Sequence, residues 1–395
     1  MDVKAPPERL FTPAFVALGV AELAYFTAAG VAVFALPLYV TGPLGGTEVG
    51  AGIAFGAFAV SALVLRPFAG RLADVRGRLP LLLGGALLAA VSLGLMPVAA
   101  DLVAVIALRL LAGVAEAAFF VAGFAALADL APRARLGEAL SYNSLGLYLG
   151  IALGPPIGEL LVRNWSFATA WVGAAAMAVL AAGLSVLIGE TRAIDVADAA
   201  PRRFIHRPAI PITIGFIASI AAMGGFLAFA SLYAADVGLG QASVPLFVYG
   251  AVVVTCRVAF ARVPDRLPSL PLASAGLAAM GAGLVVAAAW QAPPGLVVGA
   301  AIMGVGVAFS SPAFFSAIFA TASASHRGAA SGTASAAIDL GLGLGPILLG
   351  LLAGPFGIPW AFGAAAAVAI AGAAWTLLLS RQRPAPAPAG NRPRR

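Results

Sequence analysis

Long apolar segments separated by short polar links run through the whole chain. The apolar runs are continuous and about twenty residues long, whereas strands of a membrane barrel would be about ten residues with alternating polarity. At 1.5 Å per residue, such runs cross a hydrocarbon core of about 30 Å as helices. The pattern predicts an all-α membrane protein with twelve transmembrane helices, numbered here as spans 1 to 12. Their expected bounds are 12–40, 49–69, 79–98, 102–127, 138–162, 167–188, 211–234, 243–262, 271–290, 296–320, 331–353 and 358–379.

The two halves of the chain resemble each other when one is shifted by 191 residues. Arg66 then falls on Arg257, and Gly154 falls on Gly345. The same shift superimposes Arg71 and Arg262, Asp74 and Asp265, Gly113 and Gly304, Gly137 and Gly328, Gly150 and Gly341, and Pro155 and Pro346. Charged and Gly-Pro matches at a single offset predict a six-plus-six duplication. The expected units are an N-terminal six-helix bundle (1–188), a cytoplasmic interdomain linker (189–210), a C-terminal six-helix bundle (211–380) and a disordered basic tail (381–395).

Composition and charge narrow the class of protein. With 62% hydrophobic and 10% charged residues and a mean hydropathy of +1.01, the chain lacks the polar surface of a water-soluble domain. The basic residues concentrate in links on one side, so the positive-inside rule places both termini in the cytoplasm. Because these charges are scattered over short links, nucleic-acid binding is not expected. The single cysteine, Cys256, excludes disulfides and cysteine-rich metal sites.

Three motifs carry a family resemblance. The segment 70–78 reads GRLADVRGR and resembles the signature between spans 2 and 3 of the major facilitator superfamily, with Arg76 one place late and Leu79 replacing the final basic residue. In span 4, 109–113 reads RLLAG and resembles a second motif, with Ala112 where glutamine is usual. In span 5, a third motif resembles the glycine-proline run of proton-coupled exporters, at Gly146, Gly150, Gly154, Pro155 and Gly158. The resemblance points to the twelve-span drug:proton antiporter branch.

The resemblance implies two pseudo-symmetric six-helix bundles that hold a substrate between them and alternate access to it. The segment between spans 2 and 3 is then a conformational latch. Asp74 is expected near the N-terminus of span 11, around Gly328 to Ser331, where the helix dipole favours a carboxylate, and Arg78 is expected to reach Asp129. The latch set is Gly70, Arg71, Asp74, Gly77, Arg78 and Asp129. The resemblance also implies that the helix carrying the third motif, span 5, packs against span 8 at the interface of the halves and biases transport toward export.

Charged residues inside the spans are the candidate functional groups, because burying charge costs several kcal/mol. Glu22 lies in span 1, Arg109 and Glu116 share a face of span 4, and Asp339 lies near the middle of span 11. Burial disfavours a charged carboxyl group and a nearby arginine favours it, so such a group could bind and release a proton. We expect Glu22 and Glu116 to carry protons and Arg109 to tune them. The alternative is that these groups only join helices.

The remaining candidates are weaker. The proton- and substrate-binding set is completed by Asp339, Tyr25, Asn143, Phe119 and Phe309. Arg66 and Arg257, one turn from the ends of spans 2 and 8, are expected to snorkel or to pair with a loop acid.

Phenylalanines concentrate in spans 1, 4, 7 and 10, which the resemblance makes cavity-lining. This favours a lipophilic, cationic organic substrate. The expected function is proton-coupled export across a bacterial inner membrane by a monomer that contacts lipids, binds no cofactor or metal and is not an enzyme. Two alternatives stay open. One is a transporter of the same fold for a specific metabolite, such as a sugar, siderophore or amino-acid derivative, and the other is a non-transporting scaffold or sensor.

Overall fold

A computed structural model describes residues 10–132, 135–191, 205–322 and 327–382. These residues form helices joined by short links. The helices are α1 (Pro13–Thr41), α2 (Glu48–Arg76), α3 (Leu79–Gly94), α4 (Leu102–Leu130), α5 (Leu136–Asn164), α6 (Phe167–Ile188), α7 (Ile210–Asp236), α8 (Val244–Ala259), the short α9 (Val263–Arg266), α10 (Ser269–Ala289), α11 (Pro293–Phe319), α12 (Arg327–Phe356) and α13 (Ile358–Gln382). Spans 1 to 8 thus correspond to α1 to α8, and spans 9 to 12 to α10 to α13.

Local sequence explains where the helices begin and end. The hydroxyl of Thr12 accepts a hydrogen bond from the Phe15 amide at the start of α1, and Asp101 accepts one from Ala104 at the start of α4. Such N-caps satisfy amides that lack a partner within the helix. Gly77, with φ +100°, stops α2, and Gly189, with φ +71°, stops α6, because glycine adopts these backbone angles without steric cost.

Two predicted bounds are wrong. Helix α2 continues to Arg76, so most of the segment expected as a link is helical and only Gly77 and Arg78 separate α2 from α3. The charged residues at this end of α2 can stay helical because a helix can continue beyond the apolar core of the membrane. Helix α8 ends at Ala259 after 16 residues, where the predicted span was longer. Of the helices in the described ranges, eleven are long and apolar enough to cross a membrane.

The helices fall into two packed groups. In the first, α1 packs on α5 and α6, α2 on α4, and α3 on α4 and α6; in the second, α7 packs on α12 and α13, α8 on α11, and α10 on α11 and α13. The groups meet where α2 packs on α12, α5 on α8, and α1 on α7. We call the end holding the α2–α3 and α4–α5 links the α2–α3 face, and the opposite end, with the α1–α2 and α5–α6 links, the α1–α2 face.

Contacts between the groups repeat at the offset of 191 residues. A methyl group at Gly343 of α12 would stand 3.4 Å from Ala59 Cβ of α2, and one at Gly250 of α8 would stand 2.6 Å from Ala152 Cβ of α5. Gly343 is 191 residues from Ala152, and Gly250 is 191 residues from Ala59. The α2–α12 and α5–α8 contacts are therefore two versions of one arrangement.

Some sequence-based expectations lie outside the described residues. These are most of the linker (192–204) and the tail from 383 onward. The described end of the linker contacts the second group, where the His206 amide donates to Thr333 Oγ1 at 2.8 Å and its ring Nε2 lies 3.1 Å from Thr321 Oγ1.

Candidate functional site

Five ionisable side chains from four helices meet near the middle of the bundle. They are Glu22 and Tyr25 of α1, Arg66 of α2, Glu116 of α4 and Asp339 of α12. We call them the central charge cluster. Glu116 is the midpoint of α4. Because Asp339 belongs to the second group and the other four to the first, the cluster spans the contact between the groups.

Glu22 is enclosed on the side of the first group. Its side chain is 4% exposed and is hydrogen-bonded to Asn143 of α5. Two glycines on neighbouring helices leave room for the Glu22 side chain. A methyl group at Gly123 of α4 would stand 2.9 Å from Glu22 Oε1, and one at Gly146 of α5 would stand 3.7 Å from Glu22 Cβ. Glu22 and Asn143, both expected from the sequence, are thus brought together.

Tyr25 links α1 to Glu116. The two side chains are hydrogen-bonded, and the Tyr25 ring stacks on Phe119 with centroids 4.0 Å apart and planes 5° from parallel. Phe119, one turn after Glu116 in α4, is 1% exposed. The predicted residues Tyr25, Glu116 and Phe119 therefore form one contact that fixes the Glu116 carboxyl group against α1.

Arg66 joins the two groups of helices. Its Nε and Nη2 donate to the two carboxylate oxygens of Asp339 at 2.5 and 2.9 Å, and its guanidinium lies 4.6 Å from the centroid of the Phe120 ring. The expectation that Arg66 snorkels or pairs with a loop acid is therefore wrong. A guanidinium fork matches a carboxylate through two parallel hydrogen bonds, and burial favours that arrangement over an unpaired charge.

Arg109 is placed differently from its expected role. Its Nε donates to the Ala54 carbonyl of α2 at 3.3 Å, and its guanidinium lies 4.8 Å from the Phe58 ring centroid. The electrostatic influence of Arg66 on Glu116 exceeds that of Arg109. Arg109 therefore joins α4 to α2, and its predicted role in tuning Glu22 and Glu116 stays a prediction.

Some phenylalanines of these helices are fully buried, and others are partly exposed. Phe226, Phe229 and Phe314 are fully buried in the second group. Phe309, expected in the binding site, is half-buried and contacts the Phe260 ring at the end of α8 with centroids 6.3 Å apart. Phe260 lies at that end of α8, away from the central charge cluster. The abundance of phenylalanine in these helices therefore reflects core packing at several positions.

Helix α5 packs on α8 as expected, but its glycine run faces α1. A methyl group at Gly150 would stand 2.7 Å from the Thr27 amide nitrogen, and one at Gly158 would stand 3.1 Å from Phe34 Cδ1. Gly154 approaches the backbone of Gly30. Residues four apart share a helix face, so these glycines form the α1 face. Helix α5 does pack on α8, through a different stripe that contains Ser144, Tyr148, Ala152 and Glu159.

The predicted latch segment forms a polar network at the α2–α3 face. Arg78 Nε donates to Asp129 Oδ2 at 3.0 Å, as the sequence suggested. Asp74 lies 3.6 Å from Arg78 Nη1. Glu190, which the sequence reading did not single out, accepts from the Arg78 and Leu79 amides at 2.9 and 3.2 Å. A carboxylate at the start of a helix is favoured by its dipole, so Glu190 anchors the start of α3.

Two further latch residues, Gly70 and Arg71, lie in α2. Gly70 has room around it, since a methyl group there would come no closer than 3.9 Å to Val121. Arg71 is exposed. The side chain positions of 327 and 328 lie outside the described residues, and the contact of Asp74 with the start of α12 stays a prediction.

Two inter-group contacts have partners that the sequence did not indicate. The sequence predicts Glu159 only as a gate or rim residue near the outer end of span 5, and Arg257 as a residue that snorkels or pairs with a loop acid. Glu159 Oε1 and Oε2 accept from the Ala242 and Ser243 amides, each at 3.0 Å, which joins α5 to the start of α8 at the α1–α2 face. Arg257 of α8 donates to Ser144 Oγ at 3.2 Å and to Tyr148 Oη at 3.3 Å. The partners of Glu159 are backbone amides, which carry no residue-specific signature.

A multi-pass bundle of apolar helices, in two groups that meet across buried ionisable side chains, is the architecture of a secondary transporter. The chain belongs to the Major Facilitator Superfamily, which it matches over residues 18–294 and 265–395. It is 29% identical over 363 residues, 89% of each chain, to an uncharacterized MFS-type transporter of Burkholderia pseudomallei (strain 1106a). Within the described residues no group of three His, Cys, Asp or Glu could hold a metal ion.

Solved structures share the fold. The human organic anion transporter MFSD10 superposes with a TM-score of 0.72 at 17% identity, with 94% of this chain and all of that chain covered. A bacterial homolog of the human lysosomal transporter Spinster, in an inward-facing and occupied conformation, superposes with a TM-score of 0.75 at 16% identity, covering 93% and 96%. At such identities the comparison establishes the fold alone.

Proposed function

We propose that this protein is a proton-coupled secondary transporter that exports small organic molecules by alternating access. The observation that carries the proposal is the central charge cluster, in which buried Glu22 and half-buried Glu116 accompany an ion pair between the two helix groups. Buried ionisable groups are costly in a membrane protein and are kept where they serve transport or proton transfer. A proton bound there can bias the contact between the groups.

The proposed topology places twelve transmembrane helices in a bacterial inner membrane, with both termini cytoplasmic and with α3 and α8 as the shortest of the twelve, at 16 residues each. The positive-inside rule supports it, since Arg71, Arg76, Arg207 and Arg262 lie at the α2–α3 face. The proposed units remain 1–188 and 211–380, joined by 189–210. With this orientation, the contacts of Glu159 with the α7–α8 link lie at the outer face. The protein is proposed to act as a monomer, with lipids, protons and substrate as partners and no cofactor.

The proposed substrate is a lipophilic organic cation, which fits the drug:proton antiporter branch. Neutral aromatic surface near carboxyl groups suits such a molecule through burial and cation–π contact. One observation favours an alternative, a metabolite that carries a carboxylate: Arg66 and Arg109 place two guanidinium groups inside the bundle. Transport of an organic anion rather than a cation would follow if these charges, and not the carboxyl groups, meet the substrate.

Reconstituted vesicles test the proposal. With an imposed pH gradient, wild-type protein is expected to move tetraphenylphosphonium against its concentration gradient and to release protons in exchange. Glu22→Gln and Glu116→Gln are expected to abolish the proton-driven movement, while Glu48→Gln at the α1–α2 face leaves it intact. Salicylate in place of tetraphenylphosphonium tests the anionic alternative. Proton-driven transport that survives in both central variants refutes the assignment of these carboxyl groups.

A further inference from the structure

Helices α2 and α8 are related by the repeat but end differently at the α2–α3 face. Helix α2 continues to Arg76, whereas α8 ends at Ala259, and the residues that follow, the α8–α9 link (260–262), form a turn. Pro264 explains the difference, because proline lacks an amide hydrogen and its ring clashes with the carbonyl group four residues earlier in a helix. Its counterpart in α2 is Ala73, the most favourable residue in a helix. The second group thus has a turn where the first has a continuous helix.

Two successive amides of the α8–α9 link lack an acceptor. Neither the Ala261 amide nor the Arg262 amide donates a hydrogen bond within the described ranges, and both residues are exposed. The residues aligned with them, Gly70 and Arg71, lie inside α2, where carbonyl groups one turn earlier are available. The 16 residues of α8 extend about 24 Å, less than the hydrocarbon core of about 30 Å. In the proposed topology, α8 therefore brings these amides to the level of the lipid headgroups.

Arginine and apolar side chains line a cavity at the same place. The cavity has a volume of about 550 Å³ and is lined by Val258–Val263 and Arg266, and pockets of about 300–1,000 Å³ hold small molecules. Arg262 and Arg266 are both exposed. Guanidinium groups and successive amides of a turn are the donors that a phosphate group accepts from. Val258 is 61% and Phe260 53% exposed, so apolar surface borders these donors.

Charge and depth together select the occupant. In the segment 258–267, two arginines outnumber the single acidic residue, Asp265, whose side chain lies outside the described residues. A phospholipid carries a phosphate beside acyl chains, which matches polar donors beside the exposed apolar side chains of Val258 and Phe260. A soluble phosphate compound would use the donors alone. A headgroup with its own cation would bring that cation close to the arginines, so an anionic headgroup fits better.

We propose that the α8–α9 link binds the phosphate group of an anionic phospholipid, such as phosphatidylglycerol, from the leaflet at the α2–α3 face. The guanidinium groups of Arg262 and Arg266 and the two free amides hold the phosphate, and the acyl chains run along Val258 and Phe260. The site belongs to the second helix group alone, because the aligned amides of α2 lie within a helix. This inference concerns lipid binding and does not depend on the direction, the substrate or the proton coupling of transport.

Native mass spectrometry of purified full-length protein tests the headgroup preference. The protein is mixed with equal amounts of phosphatidylglycerol and phosphatidylcholine that carry the same acyl chains, and wild type is expected to retain phosphatidylglycerol. The double variant Arg262→Gln/Arg266→Gln should bind it roughly 30-fold more weakly, since each arginine near an anionic lipid contributes a similar share. Arg71→Gln/Arg76→Gln is the matched control, because it removes the same charge from exposed positions of the same face. An equal loss in both double variants overturns the proposal.

Hydrogen exchange of wild-type protein locates the lipid and needs no variant to fold. In nanodiscs, the amides of Ala261 and Arg262 are expected to exchange severalfold more slowly in phosphatidylglycerol than in phosphatidylcholine, while those of Gly70 and Arg71 stay unchanged. Glycerol phosphate added to phosphatidylcholine nanodiscs should give no such protection. Protection by glycerol phosphate, or equal exchange in the two lipids, overturns the assignment to an anionic phospholipid. Neither measurement involves transport, so the vesicle assay of the proposed function succeeds or fails separately.

Discussion

The contact of Glu159 with the start of α8 is expected to hold the α1–α2 face closed. Glu159 is 8% exposed, and its two oxygens satisfy two amides of the α7–α8 link. Replacement by alanine leaves both amides unpaired while that face is closed. Each unmade buried hydrogen bond costs about 1–3 kcal/mol. Because water reaches these amides when the face opens, the cost falls on the closed state alone.

The expected size of the effect follows from those two bonds. Even the low estimate, about 2 kcal/mol for the pair, lowers the closed-to-open ratio roughly 30-fold. Glu159→Gln should have a smaller effect, because the amide keeps one acceptor oxygen but loses the charge that favours a helix N-terminus. Arg163→Ala is the matched control. Arg163 Nη1 also donates to the Gly240 carbonyl of the α7–α8 link at 3.2 Å, but its side chain is 58% exposed, and such surface contacts contribute about 0–1 kcal/mol.

Spin labels measure the opening directly. With Cys256→Ser as background, labels replace Trp165 and Trp290, which are exposed at the α1–α2 face in different helix groups. Pulsed electron–electron distance measurements in reconstituted protein should show a longer population for Glu159→Ala and a wild-type distribution for Arg163→Ala. An unchanged distribution in Glu159→Ala, in protein that retains its thermal stability, refutes the reasoning.

Three further predictions address packing and the latch. Gly154→Val should lower the midpoint of thermal unfolding, because overpacking against the backbone of α1 costs about 1–3 kcal/mol, whereas Gly183→Val, with open space around it, should not. Arg78→Ala should destabilise the α2–α3 face and raise its hydrogen exchange, since it removes the bonds to Asp129 and the α2 carbonyl, while exposed Arg71→Ala should have little effect. Asp74→Asn should slow transport in vesicles and leave substrate affinity intact; loss of affinity would contradict a latch role.

Much of the helix pattern could be predicted because it depends on local sequence. Apolar length, caps and glycine stops fix where each helix runs, and the α6 bounds match the expected 167–188. Helix α2 ran past its predicted end because charge marks the edge of an apolar core and not the end of a helix. Four-residue glycine spacing in α5 indicated a close-packed face, but spacing alone cannot say which neighbour fills it.

Contacts between distant residues were harder to predict. Arg66 and Asp339 are 273 residues apart, so their pairing depends on α2 lying beside α12. The repeat aligned Arg66 with Arg257 but gave no match at their partners, since Asp339 faces one arginine and Tyr148 the other. Glu22 and Glu116 were found because a carboxyl group in an apolar run is conspicuous. Glu159 and Glu190 were missed as helix-start acceptors because their partners are backbone amides.

The two halves of the repeat differ in their carboxylates at two aligned positions. The shift of 191 residues pairs Asp339 with Tyr148, and Glu159 with Gly350. Each inter-group contact thus has one carboxylate that its counterpart lacks: α2–α12 near the central charge cluster, and α5–α8 at the α1–α2 face. The two related contacts therefore differ in chemistry at two depths: the α2–α12 contact holds its carboxylate in an ion pair with Arg66, and the α5–α8 contact holds its carboxylate on two backbone amides.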